Sequence, residues 1–144
     1  MAMNKKDEDT HKENQMAAIM NMAQYLQAQQ QLLTNQMQML SSAMIRINYM
    51  TETVNAYGNK PITHVNIGNN IFIPIKLTDD MGLIIELGAG YFAYVQKSYA
   101  IQYLQNRKLK LEQNMEKARA LNESLTQKMN ELNEQAMKLS TNQE

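Results

Sequence analysis

The sequence predicts an α+β fold that is mostly α, a long antiparallel coiled-coil hairpin whose two helices are joined by two short β-hairpins. Three observations carry that prediction. All five glycines (Gly58, Gly68, Gly82, Gly88, Gly90) and both prolines (Pro61, Pro74) of the 144 residues fall between positions 58 and 90. Both flanks repeat apolar residues every seven positions, whereas the middle alternates them every two. Glycine costs backbone entropy in a helix and proline removes a hydrogen bond, so flanks without either are free to be single helices.

In chain order the reading is a disordered tail over 1–10, a coiled-coil helix over 11–57, a β-hairpin assembly region over 58–97, a second coiled-coil helix over 98–139 and a disordered tail over 140–144. Thr10 and Glu13 form a capping-box pattern for the first helix. Ile19, Leu26, Leu33, Leu40, Ile47 and Val54 then recur at heptad position d, with Met16, Ala23, Gln30, Met37, Met44 and Thr51 at a. Gly58 suits the C-terminal stop.

The middle contains Thr63, Val65 and Ile67, then Ile71, Ile73, Ile75 and Leu77, then Leu83, Ile85 and Leu87, then Tyr91 to Val95. Gly68-Asn69-Asn70 and Gly88-Ala89-Gly90 supply hairpin turns, and Thr78-Asp79-Asp80 with Gly82 connects them. Pro74 has no N–H for a ladder, which places it on an edge or irregular strand. Phe72, Ile84 and Phe92 add apolar groups to the second face. A small sheet apolar on both faces predicts association with other subunits, with Val65, Ile67, Ile71, Phe72, Ile73, Ile75, Leu83, Ile84, Ile85, Leu87, Tyr91 and Phe92 as the contact residues.

Ser98 is placed to cap the second helix. There Leu104, Leu111, Ala118, Leu125, Leu132 and Leu139 occupy d, and Ile101, Lys108, Met115, Asn122, Met129 and Ala136 occupy a. Folding back with Val54 beside Ile101 makes every layer pair an a with a d: Ala23 with Leu132, Leu26 with Met129, Leu33 with Asn122, Met37 with Ala118, Ile47 with Lys108. Alanines then face larger residues, and the amides of Gln30 and Asn122 lie in adjacent layers where they could bond and pin the register. Pairing with another chain is the alternative use of the same seams.

Composition excludes several classes of function. Lys plus Arg and Asp plus Glu both number 14, so no bulk positive charge favours nucleic acid or an anionic membrane. There is no cysteine, and His11 and His64 are far apart, so neither a thiolate site nor a zinc cluster is expected. No cofactor, metal or catalytic residue is expected, and the protein is read as a non-enzyme. The charged start MAMNKKDEDTHKE does not resemble a secretion leader, and no apolar run reaches the length of a membrane span, so a cytoplasmic location is expected.

The letter patterns for chemistry dissolve in context. Gly88, Gly90 and Ala93 match G-x-G-x-x-A, but the following aromatic, β-branched run is not a helix start for a pyrophosphate. Asn122-Glu123-Ser124 is a sequon on a coil, and Asp79-Asp80 are turn formers. Asn106-Arg107-Lys108-Leu109-Lys110 is a short basic run on a helix face. The thirteen methionines are more informative. Antiparallel folding gathers Met16, Ile19, Met20, Met22, Met137 and Leu139 at the free end, where flexible, polarizable side chains can repack around varied apolar sequences. The plain alternative is that they simply widen the seam, and off-seam Leu32, Met39, Ile45 and Met50 elsewhere show that such apolar residues are not confined to the free end.

The order helix, two hairpins, helix, together with several motifs, resembles the α-class subunits of prefoldin, nearest the subunit-5 type. Pro61 followed by Ile71-Phe72-Ile73-Pro74-Ile75-Lys76-Leu77 is similar to that family's proline and L-Y-V-P-G-K-L segment. Ile85-Glu86-Leu87-Gly88-Ala89-Gly90-Tyr91-Phe92 is similar to its V-D-V-G-T-G-Y-Y, and Ala100, Tyr103, Leu104, Arg107 and Lys108 to its A-x-x-F-F-x-R-K. Ile75 departs from the family's usual glycine, and an acidic residue often found after the aromatic pair is missing at Tyr94 to Gln96. The resemblance implies a hexamer of two α-class and four β-class subunits with a double β-barrel body. It also implies ATP-independent capture of unfolded proteins at the coil tips and delivery to a group II chaperonin, with actin and tubulin as eukaryotic clients. The competing reading is a coiled-coil scaffold or tether, or the prefoldin-like subunit of a transcription or assembly co-factor complex.

Overall fold

The computed structural model describes residues 2–56, 58, 62–76 and 82–141. Helix α1 spans Ala2–Ala56, strands β1 Ile62–Gly68, β2 Ile71–Lys76, β3 Leu83–Gly88 and β4 Tyr91–Val95 follow, and helix α2 spans Lys97–Thr141. The predicted α+β class, mostly α, is the one observed. Leu77, Asp79, Asp80 and Pro61 lie outside the described residues.

Three boundaries differ from the sequence expectation, the last being the end of α2, which runs to Thr141 so that residues 140 and 141 of the expected C-terminal tail are helical. Helix α1 starts at Ala2, so residues 2–10 of the expected tail are helical and the Thr10–Glu13 box lies inside the helix. Nothing in that segment breaks a helix, and Lys5, Lys6 and Glu8 are good helix formers, so the box has no start to mark. Helix α2 begins before Ser98. The Ala100 amide donates to the Gln96 carbonyl at 3.1 Å, so the first helical turn closes immediately after β4. At the other junction Gly58 takes the left-handed conformation (φ 85°) that a residue with a side chain resists, and α1 ends at Ala56.

The chain divides into two compact units, Met1–Leu40 with Asn114–Glu144, and Ser41–Gln113. In the first, Leu26, Leu33, Ala118 and Leu125 form a buried cluster joined by Met37, Leu40, Met129 and Leu132. The seam is thus closed within the chain, by residues from the predicted layers. The Gln30 side-chain amide donates to the Thr126 hydroxyl at 3.4 Å, which sets residue 30 beside residue 126, within one position of the expected register. Asn122 is not the direct partner of Gln30. Its backbone carbonyl instead accepts from the Thr126 hydroxyl at 2.9 Å, so the two positions are linked through Thr126.

In the second unit Ile47, Ala100 and Leu104 are the buried residues. The Lys97 ammonium donates to the Asn55 carbonyl at 2.8 Å and satisfies one acceptor of the last turn of α1. The strands form two separate antiparallel pairs, β1 with β2 and β3 with β4. Both use one device at a spacing of twenty residues. Gly68 and Gly88 sit at register shifts just before the turns, with φ of 118° and 111°. Asn69-Asn70 and Ala89-Gly90 follow with φ of 48°, 60°, 50° and 78°, the all-positive pattern of a two-residue type I′ turn. Gly88 and Gly90 are therefore hairpin residues, as read from the sequence. The Asn66 side-chain oxygen accepts from the Gly68 amide at 2.8 Å and braces the first bulge.

Candidate interaction surfaces

In an antiparallel pair, opposed residues share a face, and the face alternates along the strand. In the β3–β4 hairpin the pairs Leu83–Val95 and Ile85–Ala93 lie on one face and are half-buried. Strand β3, through Leu83, Ile84, Ile85 and Glu86, borders a cleft of about 410 Å³ lined also by Val54, Ala100, Tyr103 and Leu104 of the helices. Ile84–Tyr94 and Glu86–Phe92 lie on the other face and are exposed. Leu83 and Ile85 accordingly turn toward their own chain, which the sequence reading had counted among residues awaiting another subunit. Both are half-buried within the chain, as is Ile75, so these three are less available for contacts elsewhere than the exposed residues.

The β1–β2 hairpin lacks that cover. Its equivalent face carries Thr63–Ile75, half-buried, and Val65–Ile73, exposed. Ile67, Ile71 and Phe72 are exposed as well, as are Leu87, Tyr91 and Phe92 in the second hairpin. Nine of the twelve named assembly residues are thus exposed, and Ile75, Leu83 and Ile85 are half-buried. A two-stranded ribbon is marginal by itself in water, and apolar side chains on an open edge favour pairing with a further strand or sheet face. Pro74, paired opposite His64 in β2, fits a strand whose far edge is open.

At the other surface, Met16, Ile19 and Leu139 are half-buried in the seam, whereas Met20, Met22 and Met137 are 57%, 49% and 68% exposed. All six belong to one unit. Extending the Gln30–Thr126 alignment along both helices sets Met137 next to Ile19 and Met20. The six therefore fall into two groups, three filling the coil and three offered to solvent.

Two kinds of exposed residue were not picked out in sequence. Tyr94 is exposed beside Phe92, and its hydroxyl accepts from the Gly82 amide. The two-residue spacing from Phe92 was the available signal. Tyr49 and Tyr25 are exposed on α1 at positions outside the seam. Among the described residues no cluster of His, Asp or Glu could hold a metal ion, and no helix is long and apolar enough to cross a membrane.

Comparison with known proteins bears on these surfaces. The sequence profile of the Prefoldin family, described as "Prefoldin subunit", matches residues 7–142. Among solved structures the chain is similar to the filamentous PFD from Methanocaldococcus jannaschii, determined by cryo-EM. The TM-score is 0.69 and the identity 16%, over 80% of this chain and 98% of that one. At that identity the likeness concerns the fold. A search of curated proteins found no match.

Proposed function

This chain belongs to the prefoldin family of subunits, and on that premise we propose that it is an α-class subunit, of the subunit-5 type, in a hexameric ATP-independent holdase. Prefoldins are non-enzymatic co-chaperones, so the chain acts by binding. Two α-class and four β-class subunits assemble through their hairpins into a β-barrel body in the cytoplasm. The free coil ends hold unfolded proteins, actin and tubulin in a eukaryote, and pass them to a group II chaperonin.

The observation that carries this reading is the contrast between the hairpins. Strand β3 borders a cleft lined by helices of its own chain and its Leu83 and Ile85 are half-buried, while the matching Val65 and Ile73 of β1–β2 are exposed. Burying apolar surface contributes roughly 25 cal/mol per Å², so a strand or sheet from a sister subunit is strongly favoured there. Client capture rests on Met20, Met22 and Met137, with Met16, Ile19 and Leu139 beneath them. Methionine suits the task because its unbranched thioether adapts to differently shaped apolar groups.

The test is aggregation of a chemically unfolded client in the presence of the assembled complex. Met20→Ser, Met22→Ser and Met137→Ser together should weaken suppression while leaving the complex intact, because all three side chains are already exposed. Suppression equal to that of the unaltered complex would remove the coil end from the mechanism.

A further inference from the structure

The unit Ser41–Gln113 holds a second groove, of about 670 Å³, contiguous with the cleft beside β3 through the shared residues Tyr49, Met50 and Arg107. Its apolar lining includes Ile45, Met50 and Leu111. Ile45 is 67% and Tyr49 70% exposed, so neither is occupied by the coiled-coil seam. The only charged residues lining it are Arg46 and Arg107, one from each helix.

These arginines are unusual in their setting. Between Glu13 and Arg46 helix α1 carries no charged residue at all, so Arg46 stands at the end of a long neutral surface. No carboxylate lies three or four positions from Arg46 or from Arg107 on its own helix. Among the described residues neither arginine makes an ion pair. Arg107 donates instead to the Tyr103 hydroxyl at 3.0 Å, with its guanidinium 6.0 Å from that ring's centre. Glu86 lines the neighbouring cleft, and Glu52 and Glu112 lie elsewhere on the helices, but none of these lines the groove. The flanking Lys108 and Lys110 add positive charge.

We propose that this groove is a docking site for an acidic, apolar-anchored segment of a partner protein. Aliphatic or aromatic side chains of that segment seat against Ile45, Tyr49 and Met50, and flanking carboxylates are taken by Arg46 and Arg107. The guanidinium is suited to the second task because its planar fork binds a carboxylate through two parallel hydrogen bonds. Charge complementarity selects the partner, since a basic segment would meet two unpaired cations and a neutral one would leave them unsatisfied.

The probe is a short fluorescent peptide with two leucines flanked by glutamates, titrated by anisotropy into the complex recovered through a tag on this chain. Versions with glutamine or lysine in place of glutamate are titrated beside it. The acidic probe should bind about tenfold more tightly than the glutamine version, with the gap narrowing as salt is raised. Arg46→Glu with Arg107→Glu should reverse the preference toward the lysine probe, a result that loss of packing alone would not produce. If that pair reduces helicity, Arg46→Gln with Arg107→Gln serves in its place, and the acidic and neutral probes should then bind alike. Equal affinity of the three probes for the unaltered complex would overturn the proposal. So would a preference that survives charge reversal, or binding to the free chain that is lost in the complex, which would make the groove a subunit contact. The mass of the complex is read separately, so a failure of assembly and a failure of this site give different results.

Discussion

Leu33 and Leu32 are adjacent in sequence and opposite in environment, which makes them a sharp test of the seam. Leu33 is 5% exposed and belongs to the cluster with Leu26, Ala118 and Leu125, while Leu32 is 63% exposed. Leu33→Ala removes three buried carbons, about 2.4 kcal/mol at roughly 0.8 kcal/mol each. Ala118 is too small to fill the space left, and the cavity brings the cost to about 3 kcal/mol. Leu32→Ala should cost under about 0.5 kcal/mol. Urea denaturation of the full-length chain, followed by helical circular dichroism, reads the difference. With a slope of about 1.5 kcal/mol per molar, Leu33→Ala should lower the midpoint by about 2 M and Leu32→Ala by no more than about 0.3 M. Equal shifts for the two variants would refute the assignment of position 33 to the interior of the coil.

Other consequences follow from single contacts. A Cβ on Gly82 would lie 2.5 Å from the Tyr94 ring and 2.8 Å from the Val95 carbonyl. Gly82→Ala should therefore displace Tyr94 and speed hydrogen exchange of the residue 82 amide by breaking its bond to the Tyr94 hydroxyl. Unchanged exchange would contradict that contact. Gln30 is a half-buried amide one turn from the buried Leu26 and Leu33. Gln30→Leu should raise the urea midpoint, by the equivalent of about 1 kcal/mol, because the long bond to Thr126 returns less than an apolar side chain there. A fall in the midpoint would show that the polar link contributes more than burial.

The coil was almost wholly legible in the sequence, down to its less typical members. Every a and d position from Met16 to Val54 and from Ile101 to Leu139 is buried or half-buried, including Gln30, Thr51, Lys108 and Asn122. Heptad spacing is strict enough that a polar residue in the right place is carried into the seam by its neighbours. Turn chemistry was plain at Asn69-Asn70 and at Gly88 and Gly90, which accept positive φ readily, whereas Ala89 takes φ 50° against the preference of its side chain.

Three features were not legible, each for a physical reason. The start of α1 was misplaced because a capping box is informative only where the residues before it resist helix, and residues 2–9 do not. The covered face of β3 was hidden because Leu83, Ile84 and Ile85 are all apolar, leaving no alternation to show which side turns inward. Arg46 and Arg107 come from opposite flanks, and only the folded helix pair brings them to one groove. The candidate coil end was legible too, since the heptad assignment already put Met16, Ile19 and Leu139 on the seam and Met20, Met22 and Met137 off it, and their burial follows that division.

The central claim is that the uncovered hairpin is completed by sister subunits, and native mass spectrometry of the complex recovered through a tag on this chain tests it most directly. The account predicts a six-subunit species containing other small coiled-coil chains. A homodimer, or a fixed pair with one large protein, would contradict it and favour a scaffold or tether.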